Sequence, residues 1–194
     1  MKNVLIINAH QTYSFSEGKL TRSLIEKMEA KLKSKKYELE HSLVSKEYKI
    51  DDEVKKHLWA DVIILQSPVH WMGVPWMAKK YIDEVSSAGT KGLFCHGDGR
   101  STPDPKKNYG GGGVLNRKKY MLSLTFNAPK EAFNNESEYL FRGKSVDDLW
   151  FPQHMVYRFF GMTPIETFVC HDVMKNPEIE NDFKRLEEHL DKYF

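Results

Sequence analysis

The stretch DVIILQSPVHWMGVPW, Asp61 to Trp76, runs an apolar segment straight into a turn holding two tryptophans, a histidine, a methionine, a glycine and two prolines. Its apolar half is short, unbroken and β-branched, the pattern of a strand buried on both faces. NVLIIN (Asn3–Asn8) repeats that pattern. KYMLSLTF (Lys119–Phe126) and ETFVCHDV (Glu166–Val173) read as further strands, and YELEHSLV (Tyr37–Val44) as a weaker fifth. Helical periods separate them. Leu20, Leu24, Ile25, Met28 and Leu32 form one apolar stripe and Ile50, Val54 and Leu58 a shorter one; Met77–Val85 is a third segment, and Ile179, Phe183, Leu186 and Leu190 mark a closing helix. Strands alternating with helices predict βαβ units, hence a doubly wound α/β class with a parallel sheet between helical layers. Five strands fit the order 2-1-3-4-5 or an incomplete half of a dinucleotide-binding fold. In either, ligands bind beyond the carboxyl ends of the strands near the switch point, where the Ser67–Trp76 turn emerges.

The chain has 194 residues, 40% of them hydrophobic and 29% charged, enough for one well-buried domain over 1–194 and short for two. A net charge of +2, with acids and bases interspersed, indicates neither a nucleic-acid footprint nor a polybasic membrane patch. The basic run Lys31–Lys36 falls where the first helix should end and complements its dipole. No apolar segment approaches the ~20 residues of a membrane span, and Met1 leads directly into an apolar strand without a cleavable leader pattern, so a soluble cytoplasmic protein is expected. Cys95 and Cys170 are each followed by histidine but lack the close ligand spacing of a zinc site. No metal is expected, and free thiols are the default. Two long irregular stretches remain, Leu93–Leu115 rich in Gly and Pro, and Asn127–Pro152 rich in charge and aromatics. Loops of that length inside an α/β domain are usually functional.

After the first strand comes NAHQTYSFSEGKL, Asn8 to Leu20. It lacks the G-x-G-x-x-G that lets a backbone approach pyrophosphate, which weakens a nicotinamide-binding Rossmann reading. It does offer Thr12, Ser14 and Ser16 hydroxyls, His10, and a helix start whose free N–H groups attract anions. From this loop alone two readings stand: a phosphate cradle, or a helix capped by Ser16 with His10 as a polar surface residue.

NVLIINAH with a serine six residues on, followed by a helix, and a third strand running into PVHWMGVPW, resemble the flavodoxin-like NAD(P)H:quinone oxidoreductase family. Within it, WADVIILQSPVHWMGVPWMAKKYIDEV, KKNYGGGG, KKYMLSLTFNAPKEAF and FFGM are similar, in that order, to the bacterial modulator-of-drug-activity-B subgroup. The resemblance spans essentially the whole chain. It implies a flavodoxin-like three-layer fold with a five-stranded parallel sheet in the order 2-1-3-4-5, and a tightly bound FAD.

By that resemblance His10, Ser16, Glu17, Gly18, Lys19, Leu20 and Thr21 belong to the flavin site, with Pro68, Val69, His70, Trp71 and Met72 beside the ring. Thr125, Phe126, Asn127 and Ala128 follow at the end of the fourth strand, where donors, Asn127 among them, stabilise charge on the reduced flavin. Tyr109 is placed against flavin or substrate from a mobile Gly110–Gly113 flap. On residue chemistry alone, SPVHWMGVPW reads equally as a hydrophobic staple or an exposed tryptophan pair, and the glycine run as a surface loop. Pro68 is expected to stiffen the strand exit, Gly73 to permit close backbone approach, and Pro75 to open the next helix. The mammalian-type Thr-Thr-Gly-Gly turn is missing, so no proton-donor role passes to Tyr139 or His154. The resemblance further implies two-electron quinone reduction by NADPH or NADH in a ping-pong scheme, a homodimer, and a role in quinone detoxification and oxidative-stress defence. An alternative from another class is a flavin-binding regulatory subunit of a potassium efflux system; a one-electron carrier ranks last because such proteins are strongly acidic.

Overall fold

In the computed structural model, which describes residues 2–194, the two most apolar segments lie side by side at the centre of a parallel sheet. Strands β1 (Asn3–Asn8), β2 (Glu38–Leu43), β3 (Val62–Pro68) and β4 (Lys119–Thr125) pair in the order β2-β1-β3-β4. Two short pieces, β5 (Thr163–Pro164) and β6 (Phe168–Cys170), share the outer edge of β4. The order 2-1-3-4-5 therefore holds, with its fifth position split. The strand expected over Glu166–Val173 is shorter because Glu166 and Thr167 stand outside the ladder: Glu166 accepts from Lys192 at 2.9 Å and Thr167 donates to Asp147 at 2.7 Å.

Helices α1 (Lys19–Ser34) and α6 (Ile179–Tyr193) cover one face, burying Leu24, Met28, Leu32, Leu186 and Leu190 against Val4, Ile6 and Ile64. On the other face α2 (Ile50–Trp59), α3 (Trp76–Gly89) and α5 (Phe151–Phe159) cover Leu5, Ile7, Ile63 and Leu65. The short helix α4 (Val146–Leu149) precedes α5 and opens on a capping box between Ser145 and Asp148. No helix among the described residues is long and apolar enough to cross a membrane. Cys95 and Cys170 are free and buried.

The α2 stripe differs from expectation. Ile50 and Leu58 face outward, while Glu53, Val54 and His57 are buried. The Glu53 carboxylate explains the rotation, since Ser42 donates to it, Tyr81 donates at 2.7 Å and Lys56 pairs with it at 2.7 Å. Burial opposes its charge, but these partners together hold its pKa below the usual carboxylate range. One turn on, His57 contacts the Glu53 carbonyl through Nδ1 at 2.9 Å, and burial lowers its pKa from 6.5 to about 4. Because the unfolded chain binds this proton at higher pH than the folded one, stability falls as pH drops from 6.5 through 4, by about 3 kcal/mol in full. Denaturant titrations across that window are expected to show a smaller loss in His57→Phe than in the wild type, the remainder coming from His10, His171 and His189, whose pKa values burial also lowers; parallel curves would contradict it.

Candidate active site

Two adjoining clefts open at the carboxyl ends of β1, β3 and β4. One, of about 410 Å³, runs along the β1–α1 loop from Ser14 to Thr21 and is closed by Pro68, Val69, His70, Thr125, Asn127, Val173 and Met174. The other, of about 470 Å³, is lined by Val69, Trp71, Met72, Phe126, Asn127, Ala128, Pro129, Leu140, Phe141, Asp172 and Lys175. Val69 and Asn127 belong to both, so they sit on the shared rim.

The first cleft has the chemistry of an anion site. Gly18, in left-handed conformation at φ 76, is the N-cap of α1, with no side-chain cap. The N–H groups of Lys19, Leu20 and Thr21 find no acceptor among the described residues, and Arg22 N–H is the first to bond back, to Gly18 O at 3.0 Å. Ser16 does not cap the helix; its backbone closes a turn with Tyr13 through bonds of 2.9 and 3.0 Å. His10 is a buried wall under this loop and no surface residue, with Nε2 3.3 Å from Ser16 O and its ring where a Gly18 Cβ would stand. Burial keeps the His10 pKa below its usual value, so the imidazole is neutral at pH 7 and braces the loop without adding charge. Glu17 points outward and is paired with Lys19 at 2.9 Å.

The second cleft is apolar and its rim is strained. His70 and Gly73 exchange backbone hydrogen bonds of 2.8 and 3.0 Å, closing a turn whose central residues, Trp71 and Met72, lie at φ 45 and 69. Such a turn favours Asn and Gly, and two bulky residues there store strain of the kind found at functional sites. Packing does not compensate, because Trp71 is 94% exposed. The His70 ring stacks on Tyr13 at 4.3 Å and reaches Phe15 at 5.9 Å, binding the two loops into one wall. At β4, Thr125 O accepts from Val69 N–H at 3.0 Å and Phe126 N–H donates to Cys170 O at 2.8 Å, which fixes the Thr125–Ala128 exit between the clefts. Pro68 ends β3 as expected. Gly73 faces open space, so no contact within the chain requires it, and Pro75 stands one residue before the helix as its N-cap.

Comparison with known proteins agrees with this geometry. A profile of the flavodoxin-like fold matches residues 2–194. The chain is also 40% identical to NADPH:quinone oxidoreductase MdaB of Haemophilus influenzae over 192 residues, 99% of both chains. The chain belongs to the flavodoxin-like quinone oxidoreductase family. Among solved structures, a Klebsiella pneumoniae protein assigned as a quinone reductase superposes with a TM-score of 0.80 at 22% identity, over 100% of this chain and 85% of that one. General stress protein 14 of Treponema denticola, in complex with FMN, gives a TM-score of 0.66 at 16% identity over 99% of both. At those identities the likeness concerns the fold.

Against that family background one expected site residue stands apart. Tyr109 packs edge-on to Phe159 at 6.0 Å and lies under Arg100 at 5.7 Å. Phe159 ends α5, and the next residue, Phe160, accepts from Leu115 N–H at 2.9 Å just before β4 begins. Tyr109 thus lies at the amino end of the sheet, opposite both clefts, and does not reach them within one chain. Nor is the glycine run a loose flap: a Cβ at Gly112 would meet Gly97 and Gly99 backbone, and one at Gly113 would meet Phe160 and Gly161. Glycine is needed there for close packing.

All other expected residues line the clefts except His10, which supports one from behind. Sequence reasoning missed Phe15, Leu140, Phe141 and the Asp172–Lys175 turn. The turn had a signal, since it follows the last strand at the ligand-binding end. Leu140 and Phe141 had none, because Phe141 comes to the cleft only by stacking on Phe133 at 4.3 Å.

Proposed function

We propose that the protein is an FAD-dependent NAD(P)H:quinone oxidoreductase. The observation that carries this reading is the pair of clefts sharing Val69 and Asn127 at the switch point, one offering free helix N–H groups and the other aromatic walls. The residues fit a flavin. Gly18–Thr21 would hold phosphate, Val69–Met72 and Phe126 would flank the ring, and Asn127 with neighbouring backbone donors would face the edge where negative charge collects on reduction. Phe15, Val173 and Met174 add apolar surface beyond the phosphate residues, which supports FAD over the FMN held by the Treponema protein. When bound, the flavin supplies hydride acceptance from NAD(P)H and two-electron delivery to the quinone.

The protein's own part is to position and to exclude water. Trp71, Met72, Leu140 and Phe141 frame an apolar opening beside Val69, which nicotinamide and quinone would use in turn. Initial-rate plots at several quinone concentrations are therefore expected to be parallel; intersecting lines would exclude this scheme. NADPH is the favoured donor, following the Haemophilus relative. The reading includes action of the whole chain as one flavin-binding domain in the cytoplasm, in quinone detoxification and oxidative-stress defence, as a homodimer. The exposed Trp71, Trp76, Tyr139 and Leu140 near the opening suit a covered surface, and Tyr109 would meet a flavin only from the second subunit.

A further inference from the structure

Reducing a quinone to a hydroquinone consumes two electrons and two protons. A hydride equivalent brings both electrons and one proton, and the other proton must come from a side chain or from water. The cleft that would receive the acceptor has two titratable residues in its lining, Asp172 and Lys175, both on the turn after β6. That turn is fixed. Asp172 N–H donates to Ala128 O at 3.1 Å, Val173 N–H to Phe126 O at 3.0 Å, and Asn176 N–H closes back on Asp172 O at 3.2 Å. Asp172 takes a left-handed φ of 50, and the chain then places Met174 on the phosphate side and Lys175 on the ring side. Lys175 forms no ion pair among the described residues and shares the cleft with Trp71, Met72, Leu140 and Phe141.

A developing hydroquinone oxyanion is a phenolate. A lysine ammonium can both pair with that oxyanion and donate a proton to it. An ionised carboxylate offers neither the proton nor the favourable charge. Resting on the quinone reductase reading, we propose that Lys175 is a catalytic residue that holds the oxyanion of the reduced quinone and donates its second proton. The new O–H bond forms as an N–H bond of Lys175 breaks, and the neutral amine recovers a proton from water. NAD(P)H, one proton and quinone thus give NAD(P)⁺ and hydroquinone. The other titratable groups around this turn are Asp172, which lines both clefts, and Lys130, Glu131, His171, Glu178, Asp182 and Arg185 in the cleft behind it.

Lys175→Met and Lys175→Arg in the flavin-loaded protein test this. Arginine keeps the charge but is not a usable acid. Both variants are expected to slow reoxidation by menadione about 100-fold, while flavin bleaching by NADPH and reoxidation by ferricyanide, which takes electrons without protons, stay within about threefold. As an equilibrium readout, 4-nitrophenol bound to the oxidised protein is expected to ionise at lower pH than free probe in the wild type and Lys175→Arg, and not in Lys175→Met. Full menadione reoxidation in Lys175→Arg would reduce Lys175 to a charge, and full reoxidation in both variants would remove it from the reaction. If the wild type itself were not bleached by NADPH or reoxidised by menadione, the quinone reductase reading would fail instead.

Discussion

Gly18→Ala is expected to weaken flavin binding about 100-fold and to destabilise the chain by about 2 kcal/mol. Gly18 sits at φ 76, and an added Cβ would stand 2.5 Å from His10 Cε1. The imidazole is buried, with Nε2 3.3 Å from Ser16 O and Asn8 Oδ1 accepting from the His10 backbone N–H at 3.0 Å, so it has little room to retreat. Relief must come from the Ser14–Gly18 loop, which is the wall of the phosphate-side cleft. Fluorescence titration of the flavin-free protein reads the affinity, and urea unfolding reads the stability. Because the cause is a clash, the double variant His10→Ala/Gly18→Ala is expected to recover part of the affinity. Binding within threefold of wild type in Gly18→Ala alone would show that the loop does not hold the cofactor.

The second large effect separates stability from function. Changing Trp71 and Met72 to Asn and Gly supplies the residues their turn prefers and relieves about 1 kcal/mol at each left-handed position, raising Tm by about 4–8 °C. Little packing is lost, since Trp71 is 94% and Met72 45% exposed. The same change strips the apolar rim from the ring-side cleft, and quinone turnover is expected to fall at least 10-fold, a trade familiar where strain serves a site. Thermal melts and menadione kinetics on the same preparation decide it. A variant both more stable and fully active would mean that the strained turn has no part in the reaction.

The central strands were legible because β1 and β3 are buried on both faces and carry unbroken apolar runs, Val4–Ile7 and Val62–Leu65. Helix α2 was legible in extent but not in orientation: its inward face carries Glu53 and His57, whose partners Ser42, Tyr81 and Phe94 come from elsewhere in the chain. Helix α5 was hidden because its inward positions mix Gln153 with Tyr157, giving no apolar stripe. Most residues lining the two clefts could be read because loops after β1, β3 and β4 must meet at the switch point. Tyr109 could not be placed, since GGGG reads as flexibility until Gly97, Gly99, Phe160 and Gly161 are seen packed against it.

The account stands or falls on the flavin. The visible spectrum of the purified protein, with chromatography of whatever heat releases, is expected to show oxidised-flavin bands and FAD in the supernatant, bleached in the intact protein by NADPH and restored by menadione. A colourless protein that takes up neither FAD nor FMN would contradict it, and PVHWMGVPW would then be a surface for packing or a partner.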